Sequence, residues 1–184
     1  MFRFRSNARL VIVPHAPDQE THSRIRQTAV DLGLPEPVPL AQATGDSPLV
    51  LAAEVGRLAW LYAAGEITYV GGGWGGGPRR GGRGLHSVLE PAAWGLPVLV
   101  GRGWQESADA VRLYRAGAMI PLGGAEDGTT AELAEAWLGL LNRPADRIRR
   151  GTAARQVVEG MRGAADRLVE LLEPYLVPPT ITPS

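Results

Sequence analysis

The sequence contains no cysteine and no lysine among its 184 residues, so all 19 basic residues are arginine. Without cysteine there are no thiol nucleophiles, disulfides or cysteine-ligated metal sites, a composition compatible with the cytoplasm. Without lysine there is no Walker-type phosphate lysine, no Schiff-base lysine and no lysine general base. Chemistry that depends on either side chain is therefore excluded.

The chain also has no excess of one charge and no long apolar run. Its 19 basic and 19 acidic residues give a formal net charge of zero, which argues against a dedicated nucleic-acid binder. No apolar stretch approaches the roughly 18 to 20 residues of a membrane-spanning helix. The opening residues MFRFRSNARL lack the apolar core of a secretory signal. We expect one domain over residues 1–176, followed by a frayed tail over 177–184.

Short apolar segments alternate with amphipathic ones along the chain. The pattern predicts strands near residues 10–13, 38–40, 49–53, 67–70, 97–100 and 119–122. Helices are expected over about 18–32, 57–63, 107–116, 129–141, 145–158 and 164–172. Such alternation is typical of an α/β fold, a Rossmann-like parallel sheet with flanking helices. Ligands of these folds bind beyond the carboxyl ends of the strands.

A glycine-rich loop over residues 71–84 is the most informative stretch. It holds nine glycines and three arginines, a combination that lets backbone amides approach a phosphate among fixed positive charges. The candidate phosphate contacts are Gly72, Gly73, Arg79, Arg80, Arg83 and His86. The alternative is a low-complexity surface loop that the arginines only solvate.

A helix is expected to begin just after this loop, at His86 and Ser87. Glu90 then falls in its first turn, where Pro91 is tolerated. Ser87 and Glu90 also have the S-x-x-E spacing of a capping box, which would give both residues a purely structural role.

Three ordered blocks resemble the bacterial 3-deoxy-D-manno-octulosonic acid (Kdo) transferases. The run GLHSVLEPAAWGLPVLVG is similar to the family pattern GGHNPLEPAAxGxPVxxGP, and the strand before it ends in VGGG where the family has VGGS. LVIVPHAP is similar to a family strand followed by a proline and a basic residue, and VGRLAWLY to a helix start with the triplet Gly-Glu-Leu. The resemblance as a whole covers roughly residues 10 to 175.

The resemblance implies the C-terminal, donor-binding domain of a GT-B glycosyltransferase, here lacking its first strand and helix. It implies that the CMP part of the donor CMP-Kdo is bound by Pro14, His15, Gly56, Arg57, Leu58, Ser87, Val88, Leu89 and Glu90. Arg57 replaces the family's glutamate, so only contacts through backbone amides transfer safely there. Ser87 replaces an asparagine, which keeps a capping oxygen but loses an amide donor and with it one ligand hydrogen bond. His15 has an ordinary loop histidine as its alternative.

The same resemblance implies a role in lipopolysaccharide biosynthesis. The donor would pass Kdo to a lipid A precursor by an inverting reaction, with no metal and no cofactor, on the cytoplasmic side of the bacterial inner membrane. The acceptor site, the catalytic base and any membrane contact would belong to a missing N-terminal domain, so no catalytic residue is assigned and this chain alone is expected to be inactive. The chain is then either a fragment of a longer gene or a short natural product. Alternatives are a GT-B transferase for another nucleotide sugar and a catalytically inactive nucleotide-binding or partner-docking module.

Overall fold

The protein is described from a computed structural model that covers residues 8–72, 84–123 and 129–176. The chain divides into two compact units, residues 1–61 and 62–184. Each unit contains one three-stranded parallel sheet, and the two sheets have the orders β1-β3-β2 and β4-β5-β6. The expectation of a single domain over residues 1–176 stays a prediction, as does the frayed tail, which lies outside the described residues.

In the first unit, strand β1 spans Leu10–Ile12, helix α1 Gln19–Asp31, strand β2 Val38–Pro39, strand β3 Leu49–Leu51 and helix α2 Leu58–Leu61. A 3-10 turn follows β2 at Leu40–Gln42. All three residues of β3 are buried, since this strand lies between its two neighbours. Helix α1 begins as expected, because the carboxylate of Asp18 accepts a hydrogen bond from the Thr21 amide at 2.7 Å, and this bond lowers the pKa of Asp18.

In the second unit, a 3-10 turn at Tyr62–Ala64 precedes strand β4 (Thr68–Val70), helix α3 (Leu89–Ala93), strand β5 (Val98–Val100), helix α4 (Ala108–Arg115) and strand β6 (Met119–Pro121). Three longer helices follow, α5 (Thr129–Asn142), α6 (Pro144–Gly160) and α7 (Ala164–Leu176). Helix α7 keeps Leu168, Leu171 and Tyr175 exposed. None of the helices within the described ranges is long and apolar enough to cross a bilayer.

Strand β5 is central to the second unit, and both of its faces are covered. Val98 and Val100 join a core with side chains of α3, α4 and α6, whereas Leu99 joins a separate cluster with Leu140 of α5. Successive side chains of a strand point to opposite faces, so a strand covered on both sides is a continuous apolar run, as VLV is here.

Helix α6 supports the short helix α3 through a contact between backbones. Gly151 of α6 lies against the carbonyl group of Gly95, in the turn that joins α3 to β5. The Arg155 guanidinium donates to the Trp94 carbonyl oxygen at 3.0 Å. Gly95 has a positive φ of 73°, a conformation that favours glycine. The position of α3 is therefore fixed by residues about sixty positions later in the chain.

We predict that Gly151→Ala destabilises the protein. Alanine improves helix propensity by about 1 kcal/mol, but its Cβ would collide with the Gly95 backbone, and overpacking costs about 1 to 3 kcal/mol. Because the collision is with backbone, the cost should lie near the upper end of this range, and the net expectation is a loss of about 2 kcal/mol in the free energy of unfolding, measured by urea denaturation. Gly160→Ala is the control, because a Cβ there meets nothing within 4 Å; equal effects of the two substitutions would contradict the prediction.

Candidate functional site

The two ends of the glycine-rich loop meet at the carboxyl end of β4. The His86 amide donates to the Gly71 carbonyl oxygen at 3.2 Å, and the His86 ring lies over the two glycines that follow the strand. The chain thus leaves β4 and returns at the same place. This juncture, formed by Gly71, Gly72, Gly84 and His86, is called the loop base below.

Gly72 is the position in the loop base that most strictly requires glycine. Its φ is 87°, in the region that other residues rarely adopt. A Cβ on Gly72 would also collide with the carbonyl oxygen of Gly84 and lie 3.2 Å from the His86 ring. In phosphate-binding loops glycine also lets backbone amides approach the ligand closely.

Helix α3 begins two residues later than the sequence predicts. Its N-cap is Val88, and no side chain makes a capping hydrogen bond there. The capping-box interpretation of Ser87 and Glu90 is therefore wrong. The physical reason is that Val88 is only 2% exposed, so its burial in the core sets where the helix starts, while Ser87 remains exposed.

Glu90 lies in the first turn of α3 and is exposed, as the sequence predicts. Pro91 and Ala92 after it are buried. The helix therefore packs on the core through these two residues, while the Glu90 carboxylate faces solvent. A carboxylate in this position can accept hydrogen bonds from ligand hydroxyl groups.

Sequence reasoning missed Tyr62, which lies near Glu90. Burial, together with the smaller effect of the negative charge of Glu90, raises the pKa of Tyr62 to about 12. The turn that carries Tyr62 also reaches the segment after α3, because a Cβ on Gly65 would lie 3.3 Å from the Leu96 side chain. The phenol therefore remains a neutral hydrogen-bond donor beside the Glu90 carboxylate. No sequence signal distinguished this tyrosine from a core aromatic residue.

In the first unit, the predicted residues follow adjacent parallel strands. Pro14 and His15 come directly after β1, and the triplet Gly56, Arg57 and Leu58 precedes or begins α2 after β3. The two strands run in register, since Ile12 pairs with Leu51. Both segments therefore leave the same edge of the sheet. His15, Gly56 and Arg57 are exposed, whereas Pro14 and Leu58 are partly buried.

Four predicted phosphate contacts lie outside the described residues: Gly73, Arg79, Arg80 and Arg83. Their roles stay predictions, as does the expectation that residues of the two units line one crevice. Within the described ranges, no group of three or more histidine, aspartate or glutamate side chains could hold a metal ion.

Comparison with known proteins places this geometry in a family. The chain is 32% identical over 133 residues, 71% of its length, to the 3-deoxy-D-manno-octulosonic acid transferase of Haemophilus influenzae. The match covers 29% of that relative, so the chain spans less than a third of its length. The chain is related to the Kdo transferases. No protein-family model matches it.

The fold is shared with a solved CMP-Kdo binding domain. The chain is similar to the crystal structure of the C-terminal CMP-Kdo binding domain of WaaA from Acinetobacter baumannii, with a TM-score of 0.63 and 22% identity. The similarity covers 80% of this chain and 72% of that chain. The predicted resemblance to Kdo transferases and the predicted α/β fold with parallel strands are thus confirmed.

We predict that Gly72→Ala disrupts the loop base. The positive φ and the collision with Gly84 should together cost about 1 to 3 kcal/mol of folding free energy, measured by denaturant unfolding. Gly71→Ala is the matched control, because its Cβ would meet only the His86 ring at 3.9 Å, an ordinary contact. If the neighbouring substitution is as damaging, the close approach at Gly72 is not what requires glycine.

A second prediction concerns alkaline pH. Tyr62 has a folded pKa of about 12 against about 10 in the unfolded chain, so its contribution to stability is complete below pH 10 and is lost as pH rises through 12. The phenol is only half-buried, so screening reduces the effect to about 1 to 2 kcal/mol. Urea unfolding between pH 9 and 12 should show a steeper loss in the parent than in Tyr62→Phe. Tyr175→Phe is the control, because Tyr175 is exposed, and it should lose stability with pH as the parent does. If Tyr62→Phe loses stability as steeply as the parent, the prediction for Tyr62 is wrong.

Proposed function

We propose that this chain is the donor-binding part of a Kdo transferase that moves Kdo from CMP-Kdo to a lipid A precursor in lipopolysaccharide biosynthesis. The relationship to the Haemophilus influenzae transferase supports the activity, and the fold shared with a CMP-Kdo binding domain supports the role of this part. The reaction is a glycosyl transfer that inverts the configuration of the sugar.

The observation that carries the proposal is the arrangement at the carboxyl end of β4. Here the loop base brings Gly71, Gly72 and His86 together, and Glu90 is exposed four residues after His86. A nucleoside monophosphate offers the complementary chemistry, because its phosphate accepts hydrogen bonds from amides and its ribose donates two to a carboxylate. No side chain caps the start of α3, and in this proposal the exposed Glu90 carboxylate binds the ribose.

Each group then has a role in transfer. Backbone amides of the loop base, the His86 ring and the arginines Arg79, Arg80 and Arg83 bind the phosphate and stabilise the negative charge that CMP acquires as it departs. Glu90 accepts hydrogen bonds from the ribose hydroxyls, and the neutral phenol of Tyr62 lies near its carboxylate. This chemistry uses backbone dipoles and guanidinium charges and requires no metal.

The first unit contributes the remaining donor contacts in this proposal. Pro14, His15, Gly56 and Leu58 keep the family pattern, and their backbone groups bind the nucleotide. Arg57 stands where relatives have glutamate, and its exposed guanidinium offers the donor a positive charge instead of a negative one.

Acceptor binding and the catalytic base are assigned to a partner part of the enzyme, which acts on the cytoplasmic side of the inner membrane. In this proposal the general base lies in that other part of the enzyme, and such a group contributes about 10²- to 10⁴-fold to rate. The 184-residue chain therefore binds CMP-Kdo without transferring its sugar.

A second candidate function is a catalytically inactive nucleotide-binding module. The replacements at Arg57 and Ser87, two positions of the family pattern, favour it. This module and the transferase part bind CMP alike, but only the transferase part restores Kdo transfer when it is combined with the N-terminal half of a related enzyme.

We predict that Glu90→Ala abolishes recognition of the ribose. The parent should bind CMP more tightly than 2′,3′-dideoxy-CMP by about 1.5 to 3 kcal/mol for each charge-assisted hydrogen bond. Titration calorimetry of both ligands on both proteins measures this difference directly. In Glu90→Ala the two ligands should bind with equal affinity, since the acceptor of both hydroxyl groups is gone.

Glu106→Ala is the control, because Glu106 is an exposed carboxylate of the same unit outside the proposed site. It should discriminate between the ligands as the parent does. A parent that does not distinguish them, or a Glu90→Ala variant that still does, would rule out the ribose role.

A further inference from the structure

Strand β6 lies at one edge of the sheet in the second unit. Within the described residues its bonded neighbour is β5 alone, and the Leu122 amide donates to the Val100 carbonyl oxygen at 2.8 Å. Because the backbone groups of successive residues point to alternate sides of a strand, those of Met119 and Pro121 face away from β5. An edge of this kind can pair with an extended segment of another chain, and native proteins prevent such pairing by several means.

Two side chains occupy backbone groups at the two ends of β6. After the strand, the Gly123 amide donates to the Glu132 carboxylate of α5. Before the strand, the Gly117 carbonyl oxygen accepts a hydrogen bond from the Arg150 guanidinium of α6 at 2.9 Å. The Gly117 amide donates to the Tyr114 carbonyl oxygen, also at 2.9 Å. The Gly123 donor and both backbone groups of Gly117 are therefore already bonded within the unit.

The middle of the edge offers little for pairing either. Pro121 has no N–H, and proline within a sheet is confined to edge strands, strand starts and bulges for this reason. Met119 is only 2% exposed, so its backbone groups are covered by the rest of the unit. An incoming strand would find no donor at residue 121 and no free access to residue 119.

A groove lies along this edge. It has a volume of about 440 Å³ and is bounded by β6, α5 and the start of α6. Its apolar lining includes Ile120 and Leu140, and Glu132 and Arg150 line it as well. An extended chain that entered the groove would therefore have to displace the two side chains that bond to the flanking glycines.

The Arg150 guanidinium is held at the edge from a second side. Its Nε atom lies 3.1 Å from the Asp146 carboxylate, and each of the two side chains is only about one fifth exposed. Displacing Arg150 would break this ion pair together with the hydrogen bond to Gly117. A partly buried charge that loses its partner is costly, so the contact at this end of β6 resists an incoming strand.

We propose that Pro121, Glu132 and Arg150 together form an edge guard, which prevents β6 from pairing with the same strand of a second copy of this chain. A two-fold axis brings the same edge of two copies together in antiparallel orientation, so an unprotected β6 is complementary to itself. Glu132 supplies the acceptor, and Arg150 the donor, that a neighbouring strand would otherwise supply. The inference concerns self-association and does not depend on the proposed nucleotide site.

The test opens the edge of the 184-residue chain and measures its self-association. Pro121→Val restores an N–H in the middle of the strand, and Glu132→Ala releases the Gly123 amide. In sedimentation equilibrium the double variant should dimerise with an association constant about tenfold above that of the parent, because several backbone hydrogen bonds form together. In the dimer, hydrogen exchange should show protected amides at residues 121 and 123.

The matched control combines Pro121→Val with Glu135→Ala. Glu135 is an exposed carboxylate of the same helix and lines the same groove, so its removal changes the net charge equally. This control should associate less strongly than the variant that lacks Glu132. If both double variants associate equally, loss of charge explains the effect and the role of Glu132 in the edge guard is refuted.

Thermal melting shows whether each variant remains folded. If the double variant that lacks Glu132 does not fold, Pro121→Val alone decides, because it keeps the contact between Glu132 and Gly123. It should dimerise about threefold more strongly than the parent, with the new amide protected. A folded variant that associates no more strongly than the parent, or that associates without protection of these amides, overturns the proposal.

Discussion

The second unit depends on a close approach of two backbone segments at the glycine-rich loop. The Gly84 carbonyl oxygen occupies the space that a side chain on Gly72 would need, and the His86 amide closes the juncture by bonding to Gly71. Because the chain returns beside the end of β4, helix α3 begins there, and Glu90 in its first turn stays near the loop. A side chain at residue 72 would separate these parts.

A second close approach between two backbone segments supports α3 from another side. Gly151 brings helix α6 against the Gly95 backbone, and Arg155 bonds to the Trp94 carbonyl oxygen. A five-residue helix has little stability of its own, so its position depends on these contacts and on the buried side chains of Val88 and Ala92. Rigid support of this kind suits a carboxylate that must meet ligand hydroxyls with fixed geometry.

Polar groups in this protein divide into satisfied and unsatisfied sets. Asp18 caps helix α1, and Asp146 pairs with Arg149 and Arg150, which lowers its pKa. Glu54 and His22, in contrast, each bury an atom without a partner. The satisfied carboxylates lie at helix starts and contribute to structure. Of the unsatisfied groups, Glu54 follows strand β3 and His22 lies in the first turn of α1.

The sequence by itself determined the order of the strands and helices, the capping residue Asp18, the parallel character of the sheets and the relationship to Kdo transferases. These follow from local periodicity, capping chemistry and motif spacing, which act over a few residues. Tertiary structure decided that the N-cap of α3 is Val88 and not Ser87, that Tyr62 lies near Glu90, and that the Glu54 side chain turns inward. Each of these depends on burial against residues distant in the chain, and local sequence patterns do not predict such contacts.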